Sequence, residues 1–327
     1  MRLQDFAPRP AHLKWLLDSD PAIRWQVMRD LTDEAPDAVA AERSRVAKEG
    51  WGAQLLARQS SAGHWGGGRH WDLIATWSLV VLKDLGLDPG GNHARKMIDR
   101  VDKGLVFKPL NNRPYLDGET EPCINGRILG IGAYFKEPND ALANQLLDEQ
   151  LEDGGWNCEA PPFSSPKRPP SRRSSFHTTI CVLEGLLAYE RAKHEREGDK
   201  NGRKLGAVIK ARRRAENYLL ERGLFRSLRT GEVIDQRWLR FSFPTFWHYD
   251  VLRGLDYLRD AGIKPDSRVR DAIGIVMERR HQNGRWPLNI LHPEHIPLEM
   301  ETGVGRASRW NTLRALRVLR WYNDSSW

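Results

Sequence analysis

The chain, 327 residues long, predicts an all-α domain built from paired helices, and three observations carry that expectation. A corner-like segment ending in an aromatic residue occurs three times, as QLEDGGWN around Trp156, LLERGLF ending at Phe225 and RRHQNGRW ending at Trp286. Each aromatic residue precedes a leucine by 27 positions: Trp156 to Leu183, Phe225 to Leu252 and Trp286 to Leu313. That leucine belongs to an apolar signature found five times, and its spacing, as at Leu252, Leu255 and Leu258, is helical. Repeats of this length mean helix pairs stacked side by side, either as an open solenoid or as a ring of inner helices inside outer ones.

Residues 1–45 read as an added helical segment, in which LLDSDPAIRWQVMRDL (16–31) looks like a HEAT-type repeat or an extra helix closing a ring. The signature then runs Val81-Leu82-x-x-Leu85, Ile128-Leu129-x-x-Gly132, Val182-Leu183-x-x-Leu186, Val251-Leu252-x-x-Leu255 and Thr312-Leu313-x-x-Leu316. Each copy marks one amphipathic helix. Upstream of most copies lies a second helix, such as Ala141 to Gln150 or Arg268 to Arg280, stopped by a glycine-containing turn. Successive signature leucines are 47, 54, 69 and 61 residues apart, so the loops between hairpins vary while the hairpins repeat. Residues 1–327 are therefore expected to form one domain.

With 40% hydrophobic and 29% charged residues the chain can bury a core, which excludes disorder as its main state. The longest apolar stretch, Leu73 to Leu82, stops at Lys83 and is too short to span a membrane. The start, MRLQDFAPRP, lacks the apolar core of a secretory signal, and three cysteines cannot all pair, so a soluble, cytoplasmic protein is expected. The net charge of +8 is concentrated in residues 161–230, which hold 17 Lys and Arg against 7 Asp and Glu. That segment reads either as solvated loops or as an anion-binding surface.

If the signature leucines face the outer helices, offsets −2 and −5 face the centre. They hold Val80, Arg127, Cys181, Asp250 and Asn311, and Trp77, Ile124, Thr178, Trp247 and Ser308. Polar groups on a face that would otherwise be buried imply a wet cavity with aromatic walls, or a structural network such as Arg127 with Asp250. Cys123 and His177 each lie six residues before a signature leucine, at the starts of successive inner helices. Cys158, in GGWNCE, belongs to the loop leading to the His177 helix. Cys123, Cys158 and His177, with Glu121, therefore offer a zinc ligand set, whereas each alone reads as an ordinary core thiol or helix-start histidine.

Acids flank these positions. Asp117, Glu119 and Glu121 alternate before Cys123, and Glu299 and Glu301 precede the loop to the helix bearing Arg309, Trp310 and Asn311. Asp250, Glu299 and Glu301 are the candidate proton carriers, and Arg127, Arg237 and Arg309 the candidate partners of an anionic substrate. Trp77, Trp247, Trp310, Asn125 and Asn311 are the candidate substrate contacts. His292-Pro-Glu-His295 has the residue types of a metal site, but Pro293 argues against one helix face.

Gln59-x5-Trp65 and Gln150-x5-Trp156 resemble the Gln-Trp motif of the terpenoid cyclase and protein prenyltransferase superfamily. The segments DGGWN, SFHTT and SRWNTLRALRVLRW together are similar to uncharacterised bacterial members of it. The resemblance, which covers about residues 45–321, implies an α/α toroid of five or six hairpins around a central cavity. No Asp-x-Asp-Asp tetrad occurs, so protonation-initiated cyclisation is not implied. Glu121-Pro122-Cys123 and Phe176-His177-Thr178 are similar to the Asp-x-Cys and Tyr-His-Thr zinc segments of prenyltransferase β subunits, although Glu replaces Asp and Cys158 has no counterpart. The function expected is a zinc-type enzyme acting on an anionic or isoprenoid substrate, with an isoprenoid diphosphate first. A HEAT-like nucleic-acid-binding protein and a non-catalytic ligand- or partner-binding ring are the alternatives.

Overall fold

The computed structural model describes residues 8–66, 71–136, 138–161, 170–197, 202–301 and 303–324. It is mostly helical. In chain order the helices are α1 (Pro10–Leu17), α2 (Pro21–Asp30), α3 (Pro36–Ser44), α4 (Gly50–Ala57), α5 (Trp71–Leu85) and α6 (Asn92–Gly104). They continue with α7 (Pro122–Phe135), α8 (Asp140–Asp148), α9 (Phe176–Glu197), α10 (Gly202–Glu221), α11 (Val251–Asp260), α12 (Arg270–Glu278) and α13 (Arg309–Asp324). One antiparallel pair of two-residue strands, β1 (Val106–Phe107) and β2 (Arg113–Pro114), sits between α6 and α7. None of the described helices is long and apolar enough to cross a membrane.

Local chemistry sets the boundaries. Proline occupies the first position of α1, α2, α3 and α7, where its missing N–H costs nothing. Asp20, Asn139 and Asp250 cap α2, α8 and α11 by accepting the backbone N–H of Ala22, Leu142 and Arg253.

The repeat is a corner with a physical explanation. The indole N–H groups of Trp65, Trp156 and Trp286 donate to the carbonyls of Leu55, Leu146 and Val276, each ten residues upstream. Gly63, Gly154 and Gly284 turn these corners at φ of 89°, 104° and 82°, the left-handed region that glycine tolerates. A Cβ on Gly154 would also approach the Arg214 carbonyl to 2.8 Å. Gln59 and Gln150 each donate to their own corner and to a neighbouring helix: Gln59 to Gly63 and to Met97 of α6, Gln150 to Gly154 and to Ala211 of α10. The Gln-Trp spacing is thus a clamp that closes one hairpin and fastens it to the next.

Two expectations about the repeat change. Phe225 does not turn a Trp-type corner: Gly223 and Leu224, both at positive φ, follow the end of α10 and their N–H groups return to the Leu220 and Leu219 carbonyls, and Phe225 has no indole N–H to close the corner as the tryptophans do. The third spacing of 27 is not equivalent to the first. Trp156 N–H bonds the Thr179 hydroxyl and Trp286 N–H bonds the Thr312 hydroxyl, so Thr312 fills the role of Thr179 three residues further from its tryptophan. The partner of Leu183 is accordingly Leu316.

The signature helices touch in order. α5 packs on α7, α7 on α9, and α11 on α13. Arg253 of α11 bonds Glu184 of α9 at 2.8 Å. The helix α13 packs on α2, whose Trp25 donates to the Leu85 carbonyl of α5 at 2.9 Å. α2, predicted as part of an added HEAT-like segment, therefore lies between the last signature helix and the first. Its partner α1 reaches the last corner, where the His12 ring bonds the Asn283 carbonyl at 3.1 Å.

α7 and α9 cross at two glycines. A Cβ on Gly126 would lie 2.6 Å from the Cys181 carbonyl, and one on Gly185 would lie 2.1 Å from the Gly126 carbonyl. This contact is too close for any side chain, and it brings Arg127 against Glu184.

Candidate functional site

Two clusters of ligand-type side chains gather where the signature helices start. In the first, ligand atoms of Glu121, Cys123 and Cys158 lie within 4.8 Å of one another. Cys123 is the second residue of α7, Glu121 immediately precedes that helix, and Cys158 follows the Trp156 corner. A hydrogen bond with Cys158, followed by burial, pushes the Cys123 thiol well above the usual thiol range. His177 does not join them: its Nδ1 accepts the Tyr249 N–H at 2.8 Å, and its ring stands edge-on to Trp238, Trp247 and His248. Equivalence along the repeat put His177 at the right helix start but left its side-chain direction open.

The second cluster is His248, His292 and Glu294, again within 4.8 Å. His248 stacks on His292 with ring centroids 3.6 Å apart and planes 3° apart. His248 Nε2 bonds Glu294 Oε1 at 2.9 Å, the Trp247 indole donates to the same oxygen, and His292 Nε2 bonds the Ser242 hydroxyl at 3.0 Å. The other carboxylate oxygen, Oε2 of Glu294, is buried without a partner. Burial pushes Glu294 up, but bonds from His248, its own backbone and Trp247 outweigh this and hold the carboxyl below its usual value. Burial, then His248, lowers His292 to about 4, and the same two causes lower His177 to about 4. His292 is thus a neutral imidazole and Glu294 a carboxylate near pH 7, the states in which they bind metals.

Pro293 does not prevent this arrangement, because the three side chains come from two loops and not from one helix face. The exposed His295 takes no part. Sequence reasoning passed over His248, lying amid the aromatic run Phe246 to Tyr249. A search for His and Glu in two loops preceding successive signature helices would have paired it with His292.

On the other side of the loop 242–248 lies a cavity of about 630 Å3. Three arginines separate the two regions: Arg127 donates to the Phe246 carbonyl, Arg253 to that of His248 at 2.6 Å and Arg314 to that of Ser242 at 3.0 Å. Glu184 pairs with both Arg127 and Arg253, and Asp256 pairs with Arg314 and Arg317. Offset −2 correctly places Arg127 on the cavity, and four further lining residues, Lys83, Glu184, Arg253 and Arg314, come one residue after signature leucines. The expected Arg127–Asp250 pair does not form. Asp250 caps α11, accepts from Ser242 and lies 3.9 Å from Arg314, and its burial raises its pKa.

The other predicted site residues have structural partners. Asn125 is buried and bonds both the N–H and the carbonyl of Glu119, which fixes the acidic loop. Trp77 packs on Phe246 at 5.5 Å, and Trp310 stacks on Phe243 at 4.2 Å at the cavity wall. Asn311 donates to the Pro287 carbonyl. Arg309 bonds the carbonyls of Trp15 and Asp18, while Arg237 is 77% exposed and pairs with Asp235. Glu299 is exposed. Glu301 accepts the Ser308 hydroxyl, and burial raises it to about 7 against the bonds from Ser308 and Trp310.

Part of the basic segment 161–230, residues 162–169 and 198–201, lies outside the described residues. Within the rest, Arg212 is buried between Glu190 and Glu216, and Arg214 bonds Gln150 and the carbonyls of Leu151 and Glu152.

No protein-family model matches the chain, and no curated protein matches it in sequence. Among solved structures, a protein from Actinoplanes is similar over 93% of this chain and 90% of its own length, at 18% identity and a TM-score of 0.40.

Proposed function

We propose that the chain is an α/α-toroid metalloenzyme whose centre is His248, His292 and Glu294. The order in which α2, α5, α7, α9, α11 and α13 touch supports the toroid, with α1 and α2 as a sixth hairpin. The observation that carries the centre is the group itself: two imidazoles and a carboxylate converge from two loops, and one carboxylate oxygen is buried with nothing to bind. Two His and one carboxylate suit zinc or another borderline divalent ion. Such an ion supplies Lewis acidity for hydrolysis of an ester-like or phosphoryl bond.

The protein's own residues do the positioning. The Trp247 indole orients Glu294, and the Ser242 hydroxyl holds the His292 ring. Burial keeps His292 unprotonated near neutral pH. Trp77 and Trp310, expected as substrate contacts, are engaged with Phe246 and Phe243, which favours a polar anionic substrate over an isoprenoid diphosphate.

The Glu121, Cys123 and Cys158 group is a second zinc reading, favoured by two thiols in direct contact beside a carboxylate. It ranks lower because two thiols must lose protons beside a carboxylate. Elemental analysis after dialysis against a mild chelator separates the two. Near-stoichiometric zinc that His292→Ala and Glu294→Gln abolish and Cys123→Ser leaves in place supports the centre. The reverse pattern moves it to the cysteines, and folded protein without metal ends the metalloenzyme reading.

A further inference from the structure

We propose that the cavity on the far side of the loop 242–248 is a binding site for a compact polyanion, a small molecule carrying phosphate or several carboxylates, separate from the metal-type centre. Its lining holds nine Arg and Lys side chains against six Asp and Glu, an excess of cations in a cavity of about 630 Å3, the size of a metabolite site. Asp30, just outside the lining, pairs with Arg29 and Arg317 and reduces this excess without cancelling it.

The ion pairs are incomplete in a specific way. Glu184 is shared by two guanidiniums, Arg127 and Arg253, and Asp256 is shared by Arg314, Arg317 and Arg259. Two N–H groups of these arginines, Nε of Arg127 and Nε of Arg317, are buried without an acceptor. Buried donors of this kind are costly unless something accepts from them. Planar guanidiniums in a low-dielectric cavity match the forked oxygens of phosphate and carboxylate. Also in the lining, Arg43 lies over the Trp25 ring at 5.2 Å and donates to Tyr134, so a further cation is held in place.

The test is calorimetric titration of the protein as purified with pyrophosphate and with citrate, at low and at high salt. Saturable binding of one or both is expected, weakening as salt rises. Arg43→Gln should lower affinity about tenfold, since one charge-assisted contact is lost, and Arg317→Gln should lower it at least as much. Arg237→Gln, an exposed arginine elsewhere, should leave it unchanged. If Arg317→Gln does not fold, Arg43→Gln decides alone, because it breaks no ion pair of the lining. His292→Ala should bind the anion as wild type does, which separates this site from the metal centre. Folded wild type that binds neither probe, or equal affinity in Arg43→Gln and Arg237→Gln, would overturn the proposal.

Discussion

Glu301 carries a charge that the folded chain resists. Burial is the largest influence on it, and the Ser308 hydroxyl, the Trp310 N–H and Arg309 offset that influence only in part, so the folded carboxyl titrates at about 7. Unfolded, it titrates near 4.3. Below about pH 4 both states are protonated and the group is neutral with respect to folding. Between these values the folded chain holds the proton more tightly, so stability falls as pH rises, and above pH 7 the full cost of about 4 kcal/mol is present. Glu301→Gln retains an acceptor for Ser308 and Trp310 but removes the titration. It should stabilise by about 4 kcal/mol at pH 8 and by about 1 kcal/mol at pH 5. In a chain of this size that corresponds to a melting temperature raised by about 6 °C at pH 8 and about 1–2 °C at pH 5. Thermal unfolding followed by circular dichroism at the two pH values measures it. An equal shift at both, or a destabilisation that grows with pH, would refute the reasoning.

Glu184 behaves in the opposite sense: burial raises its pKa, but Arg127 and Arg253 outweigh burial and hold it at about 2. Its contribution is present above the usual carboxylate pKa and lost as pH falls toward 2. Glu184→Gln should therefore cost about 3 kcal/mol at pH 7 in urea unfolding, and a cost below about 1 kcal/mol would mean that Glu184 is not the shared anion. Gly126→Ala forces a methyl against the Cys181 carbonyl at 2.6 Å and should cost about 3 kcal/mol by parting α7 from α9; an unchanged melting temperature would contradict that crossing.

The corners were the legible part of this fold. Gln59, Gln150, Trp65, Trp156 and Trp286 act locally, bonding carbonyls a fixed distance away, so their spacing survives in the sequence. Thr312 shows the limit of counting: three extra residues before α13 preserved a spacing of 27 by coincidence while moving every equivalent position. Repeat position pairs Cys123 with His177, and the loop after the Trp156 corner adds Cys158; Cys123 and Cys158 meet, but His177 turns toward Tyr249, since two helix-start side chains can share a position and diverge in rotamer. His248, His292 and Glu294 come from irregular loops whose path no periodicity encodes. The cavity-facing side is offset by part of a turn from the expected one: the residues directly after four of the five signature leucines, Lys83, Glu184, Arg253 and Arg314, line the cavity. The α2 helix looked foreign because α1 and α2 lack the Gln-Trp corner.

The most direct measurement is X-ray absorption at the zinc edge on zinc-loaded protein. A centre at His248, His292 and Glu294 predicts a first shell of nitrogen and oxygen at about 2.0–2.1 Å with no sulfur. A sulfur shell at about 2.3 Å would place the metal on Cys123 and Cys158 and contradict the account.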